Sequence, residues 1–88
     1  MTDQQLFQRI IDVMAARFDN LPPLDSINID DKFADDLAME SLDLVDLIMG
    51  IETAFGVKLD MADAKNTHTI RDLMNFLKQE KPSLCDAQ

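Results

Sequence analysis

Three stretches of this chain repeat their apolar residues at the spacing of an α-helix, and none alternates long enough to make a strand. In the first, Leu6, Phe7, Ile10, Ile11, Met14 and Phe18 share one helical face between Thr2 and about Phe18, with Thr2 or Asp3 as its N-cap. The second, "SLDLVDLIMGIETAF", runs from Ser41 to Phe55. Here Leu42, Val45, Met49 and Phe55 mark an apolar stripe, widened by Leu47, Ile48 and Ile51, and Gly56 follows as a C-cap residue. Asp43, Asp46, Gly50 and Thr53 fall along another face of the same helix. The third opens at Thr69, with Asp72 three residues later as in a capping box. It presents Ile70, Leu73, Met74, Phe76 and Leu77 and ends before Pro82.

One short helical turn is expected over "MADAKN", and "VKL" is too brief to count as a strand. The pattern therefore predicts an all-α fold, a small four-helix bundle of three main helices plus one short helix. A long first loop, "DNLPPLDSINIDDKF", joins the first two helices. Leu24, Ile27, Ile29 and Phe33 are its expected anchors to the core. Loops of this length are uncommon in compact domains and are often functional.

With 88 residues the chain makes one domain and can bury one modest core, with no room for a deep catalytic cleft. That core lacks Trp and Tyr, and the six Met point to an adaptable interior. Residues 1–80 are expected to form the domain and 81–88 a flexible tail. The single cysteine, Cys85, excludes an internal disulfide, and its tail lacks the electropositive setting of a reactive thiol. The first residues resemble neither a signal nor a transit peptide, and no apolar run is long enough to span a membrane. A soluble, cytoplasmic monomer is the expectation.

Charge narrows the partners. Seventeen acidic residues against eight basic ones give a net charge of −9, which disfavours nucleic acid and anionic membrane surfaces. From Asp30 to Asp63 ten carboxylates face only Lys32 and Lys58, so the middle of the chain suits partners with basic patches.

Autonomous catalysis finds little support. The one histidine, His68, lies in the polar run "NTHT" and reads as a solvated loop residue near a helix start. No G-x-S-x-G surrounds Ser41, and no oxyanion loop is evident. "DSINIDDKF" is a faint echo of a calcium loop, but the Gly and Glu that an EF-hand needs in register are missing. No metal site is expected.

Ser41 stands where "DDLAME" gives way to the apolar second helix. A helix N-cap is the commonest role for serine at such a junction. Yet Ser41 also heads a ridge formed by Asp43 and Asp46, and Glu40, a poor capping residue, precedes it. A serine at a helix N-terminus is well placed to carry a phosphodiester, because free N–H groups and the helix dipole favour negative charge there.

The stretch "DDLAMESLDLVDLIMGIETAFGVKL" resembles the acyl carrier proteins, whose signature is an Asp-Ser-Leu at the start of the second helix. "FADDL" is similar to the family's F-x-D-D-L, "FGVKL" to the turn after the second helix, and "THTIRDLMNFL" to the entry of the last. The likeness extends over about residues 5 to 79. It implies that Ser41 receives 4′-phosphopantetheine from coenzyme A through a phosphopantetheinyl transferase, and that the thiol of this arm carries acyl groups as thioesters. It further implies that Glu40, Leu42, Asp43, Val45, Asp46, Met49 and Glu52 meet acyl-transferring, condensing and modifying enzymes with basic docking patches.

Several positions depart from the family pattern. Ala38-Met39-Glu40 replaces the usual Gly-Ala-Asp or Gly-Gly-Asp, and Leu44 stands where a small polar residue is common. Thr53 and Ala54 replace acids, Asp60 a frequent proline and Thr67 a frequent core isoleucine. These differences resemble a carrier of a dedicated pathway, polyketide or modified lipid, more than the housekeeping fatty-acid carrier. Two other readings stay open. One is an unmodified acidic adaptor for basic proteins. The other is a peptidyl or aminoacyl carrier of nonribosomal synthesis, which "AMES" fits less well.

Overall fold

The computed structural model describes residues 2–19, 21–59 and 66–81. Three α-helices account for most of them: α1 (Asp3–Arg17), α2 (Ser41–Phe55) and α3 (Ile70–Glu80), with one 3-10 turn at Leu24–Ser26 in the first loop. The all-helical expectation holds among the described residues. All but Asn66 of the short helix expected over "MADAKN", and the tail after Lys81, lie outside them. Among the described residues no helix is long and apolar enough to cross a membrane.

Each main helix starts where its side chains can close the open backbone N–H groups. Thr2 caps α1: its Oγ1 accepts from the Gln5 N–H at 3.2 Å, and the Gln5 Oε1 accepts from the Thr2 N–H at 2.9 Å. Thr69 and Asp72 repeat this exchange at the start of α3, at 3.1 and 3.2 Å. At the far end of α2, Gly56 adopts the left-handed conformation (φ 68°) that closes the helix, and its N–H donates to the Glu52 carbonyl. Lys81 Nζ donates to the Phe55 carbonyl at 2.9 Å, satisfying another terminal acceptor of α2.

The core forms where α1 lies against both α2 and α3. Leu6, Ile10 and Met14 of α1, Leu47 and Ile51 of α2, and Ile70, Leu73, Met74 and Leu77 of α3 are fully buried, while Phe76 is half-buried at its edge. Two expectations need correction. The buried face of α2 is Leu47, Ile48, Ile51 and Phe55; Leu42 is 80% exposed, Met49 is 56% exposed and Val45 is half-buried. At 3.6 residues per turn, positions 42, 45 and 49 form a separate stripe, turned away from the core. Leu24 is also no anchor. It is 43% exposed on the 3-10 turn, while Leu21, ahead of the two prolines, packs against the core.

Ile27 and Phe33 do anchor the loop, joined by Leu37 and Met39, and Ile29 packs against them half-buried. The loop is fastened to the start of α3 through its backbone. The Phe33 N–H donates to the His68 carbonyl at 2.9 Å and the Arg71 N–H to the Ile29 carbonyl at 2.8 Å. Arg71 also grips Asp30, with Nε to Oδ1 at 2.6 Å and Nη2 to Oδ2 at 3.2 Å. The Arg71 hydrogen bond holds the Asp30 carboxyl below its ordinary pKa.

Candidate functional site

The approach to α2 turns sharply at Ala38, whose φ of 55° makes it the one non-glycine described residue in the left-handed region. Such a conformation costs an L-residue about 1–2 kcal/mol. It lets Leu37 and Met39, on either side, both reach the core, and the Met39 N–H bonds to the Phe33 carbonyl at 2.8 Å. Glu40 then stands in extended conformation (φ −87°, ψ 173°), and its carbonyl accepts the first helical hydrogen bond, from Leu44, at 3.0 Å.

Glu40, not Ser41, is therefore the N-cap of α2, and the Asp43 carboxylate reaches back to the Glu40 N–H at 3.1 Å. This corrects the reading of Ser41 as a capping residue. Ser41 occupies the first helical position, exposed, and its hydroxyl has no hydrogen-bond partner among the described residues. The helix start is formed by its neighbours, which leaves the serine oxygen unengaged beside N–H groups that favour an attached anion.

A cavity of about 460 Å³ opens next to Ser41, with Phe33, Met39 and Leu44 as apolar walls and Lys32, Thr67 and His68 as polar ones. His68, exposed as expected, shares this cavity, yet no hydrogen bond joins it to Ser41. Ser41 thus has no base of its own among the described residues. Its hydroxyl suits attachment of a group by a partner that supplies the base. Among these residues no three His, Cys, Asp or Glu side chains gather as metal ligands.

The other candidate residues lie along α2. Leu42 and Met49 project into solvent with Val45 half-buried between them, and Glu40 is exposed at the head. Besides Asp43, two more of the acids also serve the fold. Glu52 accepts the Leu59 N–H at 3.0 Å, and Asp46 is ion-paired with Arg17 at 2.6 Å. Arg17 was not singled out from the sequence. The available signal was Gly50, because a glycine inside a helix costs about 1 kcal/mol relative to alanine and calls for a packing reason. That reason is Arg17, whose side chain lies across the glycine.

The sequence is similar to known proteins. The family described as "Phosphopantetheine attachment site" matches residues 8–77. The acyl carrier protein of Solidesulfovibrio magneticus is 42% identical over 55 residues, 62% of this chain and 70% of that protein. That of Campylobacter hominis is 30% identical over 74 residues, 84% of this chain and 91% of the relative. That of Borrelia garinii subsp. bavariensis is 31% identical over 81 residues, 92% and 99% of the two chains. The chain belongs to the acyl carrier protein family, whose members are non-catalytic carriers bearing phosphopantetheine and working with enzymes.

Proposed function

We propose that the chain carries acyl intermediates as thioesters on a 4′-phosphopantetheine arm joined to Ser41, with residues 1–80 as the carrier domain. The observation that carries this reading is the exposed, unengaged Ser41 hydroxyl at the first position of α2. When bound, the arm supplies a thiol on a long flexible chain. The protein's own task is to hold the hydroxyl at a fixed helix end and surround it with recognisable charge.

The acceptor serine needs no local base, since a phosphopantetheinyl transferase with coenzyme A and Mg²⁺ provides one. Acyl-transferring, condensing and modifying enzymes then meet the exposed stripe of α2. There Leu42, Val45 and Met49 offer apolar contact, and Glu40, Asp43 and Glu52 offer charge to basic docking patches, with Asp46 beside them paired to Arg17. Charge steering gives rapid, salt-sensitive encounters, as a shuttle requires. The apolar walls of the cavity beside Ser41 offer a first shelter for an acyl chain. The departures at Ala38–Glu40 and Thr53–Ala54 favour a polyketide or specialised-lipid pathway over housekeeping fatty-acid synthesis, and a cytoplasmic monomer fits that role.

Intact mass after incubation with coenzyme A, Mg²⁺ and a broad-specificity transferase tests the reading. Wild type gains one phosphopantetheinyl group and Ser41→Ala gains none. An unmodified wild type would favour the acidic adaptor, whose binding Ser41→Ala leaves intact.

A further inference from the structure

Arg17 ends α1 and crosses to α2, where its Nη1 lies 2.6 Å from Asp46 Oδ1. The side chain lies over Gly50, one turn beyond Asp46. A Cβ at Gly50 would sit 2.2 Å from the arginine Nε and 2.9 Å from its Cδ. Gly50 has no positive φ, so conformational freedom does not explain it; space for the arginine does. Arg17 also borders a recess of about 350 Å³ shared with Phe18, Ala38 and Asp43. The fold thus brings a cation from α1 into the acidic ridge, onto the same flank of α2 as Asp43 and Asp46.

We propose that Arg17 is a specificity-determining residue of the α2 docking face. It neutralises Asp46 from within the carrier and presents a guanidinium in its place. The face then fits a partner whose patch sets basic side chains against Glu40 and Asp43 but a carboxylate against Arg17, and it disfavours a uniformly basic patch. This rests on the carrier reading above.

The physical argument concerns competition. A partner's Lys or Arg aimed at Asp46 must displace Arg17 or approach it, and like charges brought together suppress the wrong partner. An exposed pair such as this contributes little to folding, and its influence on an arriving partner is greater. Arg presents a planar fork that suits an incoming carboxylate. The seat at Gly50 holds that fork against the helix instead of leaving it free in solvent.

The test measures kcat/KM for phosphopantetheinylation by a broad-specificity transferase with a uniformly basic docking patch, at low and at moderate salt. Wild type is compared with Arg17→Met, with Gly50→Ala, and with Arg71→Met, which removes the same charge from the exposed pair with Asp30. Arg17→Met is expected to raise kcat/KM about threefold or more through KM, with a steeper fall as salt rises. Gly50→Ala, which forces the arginine off the helix at unchanged net charge, shifts it the same way by less. Arg71→Met stays near wild type. Among single Lys/Arg→Glu variants of the transferase patch, one loses less activity on wild type than on Arg17→Met. Equal rates for Arg17→Met and Arg71→Met, or a slower Arg17→Met, overturn the proposal while leaving the carrier intact. Absence of modification in every variant, wild type included, overturns both. Melting curves confirm that each variant is folded, and Gly50→Ala decides the matter if Arg17→Met is not.

Discussion

The Asp43 carboxylate accepts a hydrogen bond from the Glu40 N–H at 3.1 Å, reaching back past Ser41 to close the start of α2. The residue expected to cap the helix is thereby relieved of that work, and the two carboxylate residues on either side of it bear the structural load.

Removing the reach-back should therefore weaken the helix where removing the serine does not. Asp43→Ala is expected to lose about 1 kcal/mol in urea unfolding, with faster amide exchange at residues 41–44. Ser41→Ala should stay within about 0.5 kcal/mol of wild type, as exposed substitutions without partners do. A loss of about 1 kcal/mol for Ser41→Ala would return the capping role to the serine.

Ala38 holds a left-handed conformation that glycine adopts without strain. The relief of about 1–2 kcal/mol is partly offset by the greater freedom of glycine in the unfolded chain, about 0.4–1 kcal/mol. Ala38→Gly should accordingly stabilise the protein by about 0.5–1 kcal/mol, read as a higher urea midpoint at unchanged slope. A lower midpoint would show that the Ala38 methyl contributes more than its backbone strain costs.

Asp30 titrates below an ordinary aspartate because Arg71 hydrogen-bonds its ionised form, with the arginine's charge adding to the effect. A carboxyl depressed in the folded state contributes stability that is present above its unfolded pKa and is lost as pH falls through the folded value. Carboxyl NMR titration should show the Asp30 midpoint rising in Arg71→Ala while other carboxyls stay in place. An unmoved midpoint would mean that the pair does not persist in solution.

Acyl chains that enter beside Ser41 should stabilise the fold in proportion to their length. Each methylene taken out of water contributes up to about 0.8 kcal/mol, and about 1 kcal/mol raises the melting temperature of a domain this size by roughly 4–8 °C. Thermal scans of a saturated acyl series on the holo form should rise with chain length until the cavity walled by Phe33, Met39 and Leu44 is filled. A flat series would place the chain in solvent.

Much of the fold was legible because local chemistry announced it. Thr2 or Asp3, and Thr69 with Asp72, mark two helix starts within a few residues of sequence, and the structure chooses Thr2; Gly56 marks an end. The buried face of α2 was harder, since residues 42, 45 and 49 are as apolar as 47, 48, 51 and 55. Only the position of α1 and α3 decides which set is covered. The cap was not decidable locally: serine outranks glutamate in general preference, whereas here the chain turns at Ala38 and buries Met39 just before Glu40 enters as the cap. The contact between Arg17 and Asp46 joins residues 29 positions apart, and no local pattern reports such a pair. Gly50 was its only trace in the sequence.

The most direct measurement of the central claim is fragment-ion mass spectrometry of the transferase-treated chain, locating the added group among its three serines, Ser26, Ser41 and Ser83. One phosphopantetheinyl group on Ser41 alone is the predicted result. A group on Ser26 or Ser83, or on the Ser41→Ala variant, would contradict it.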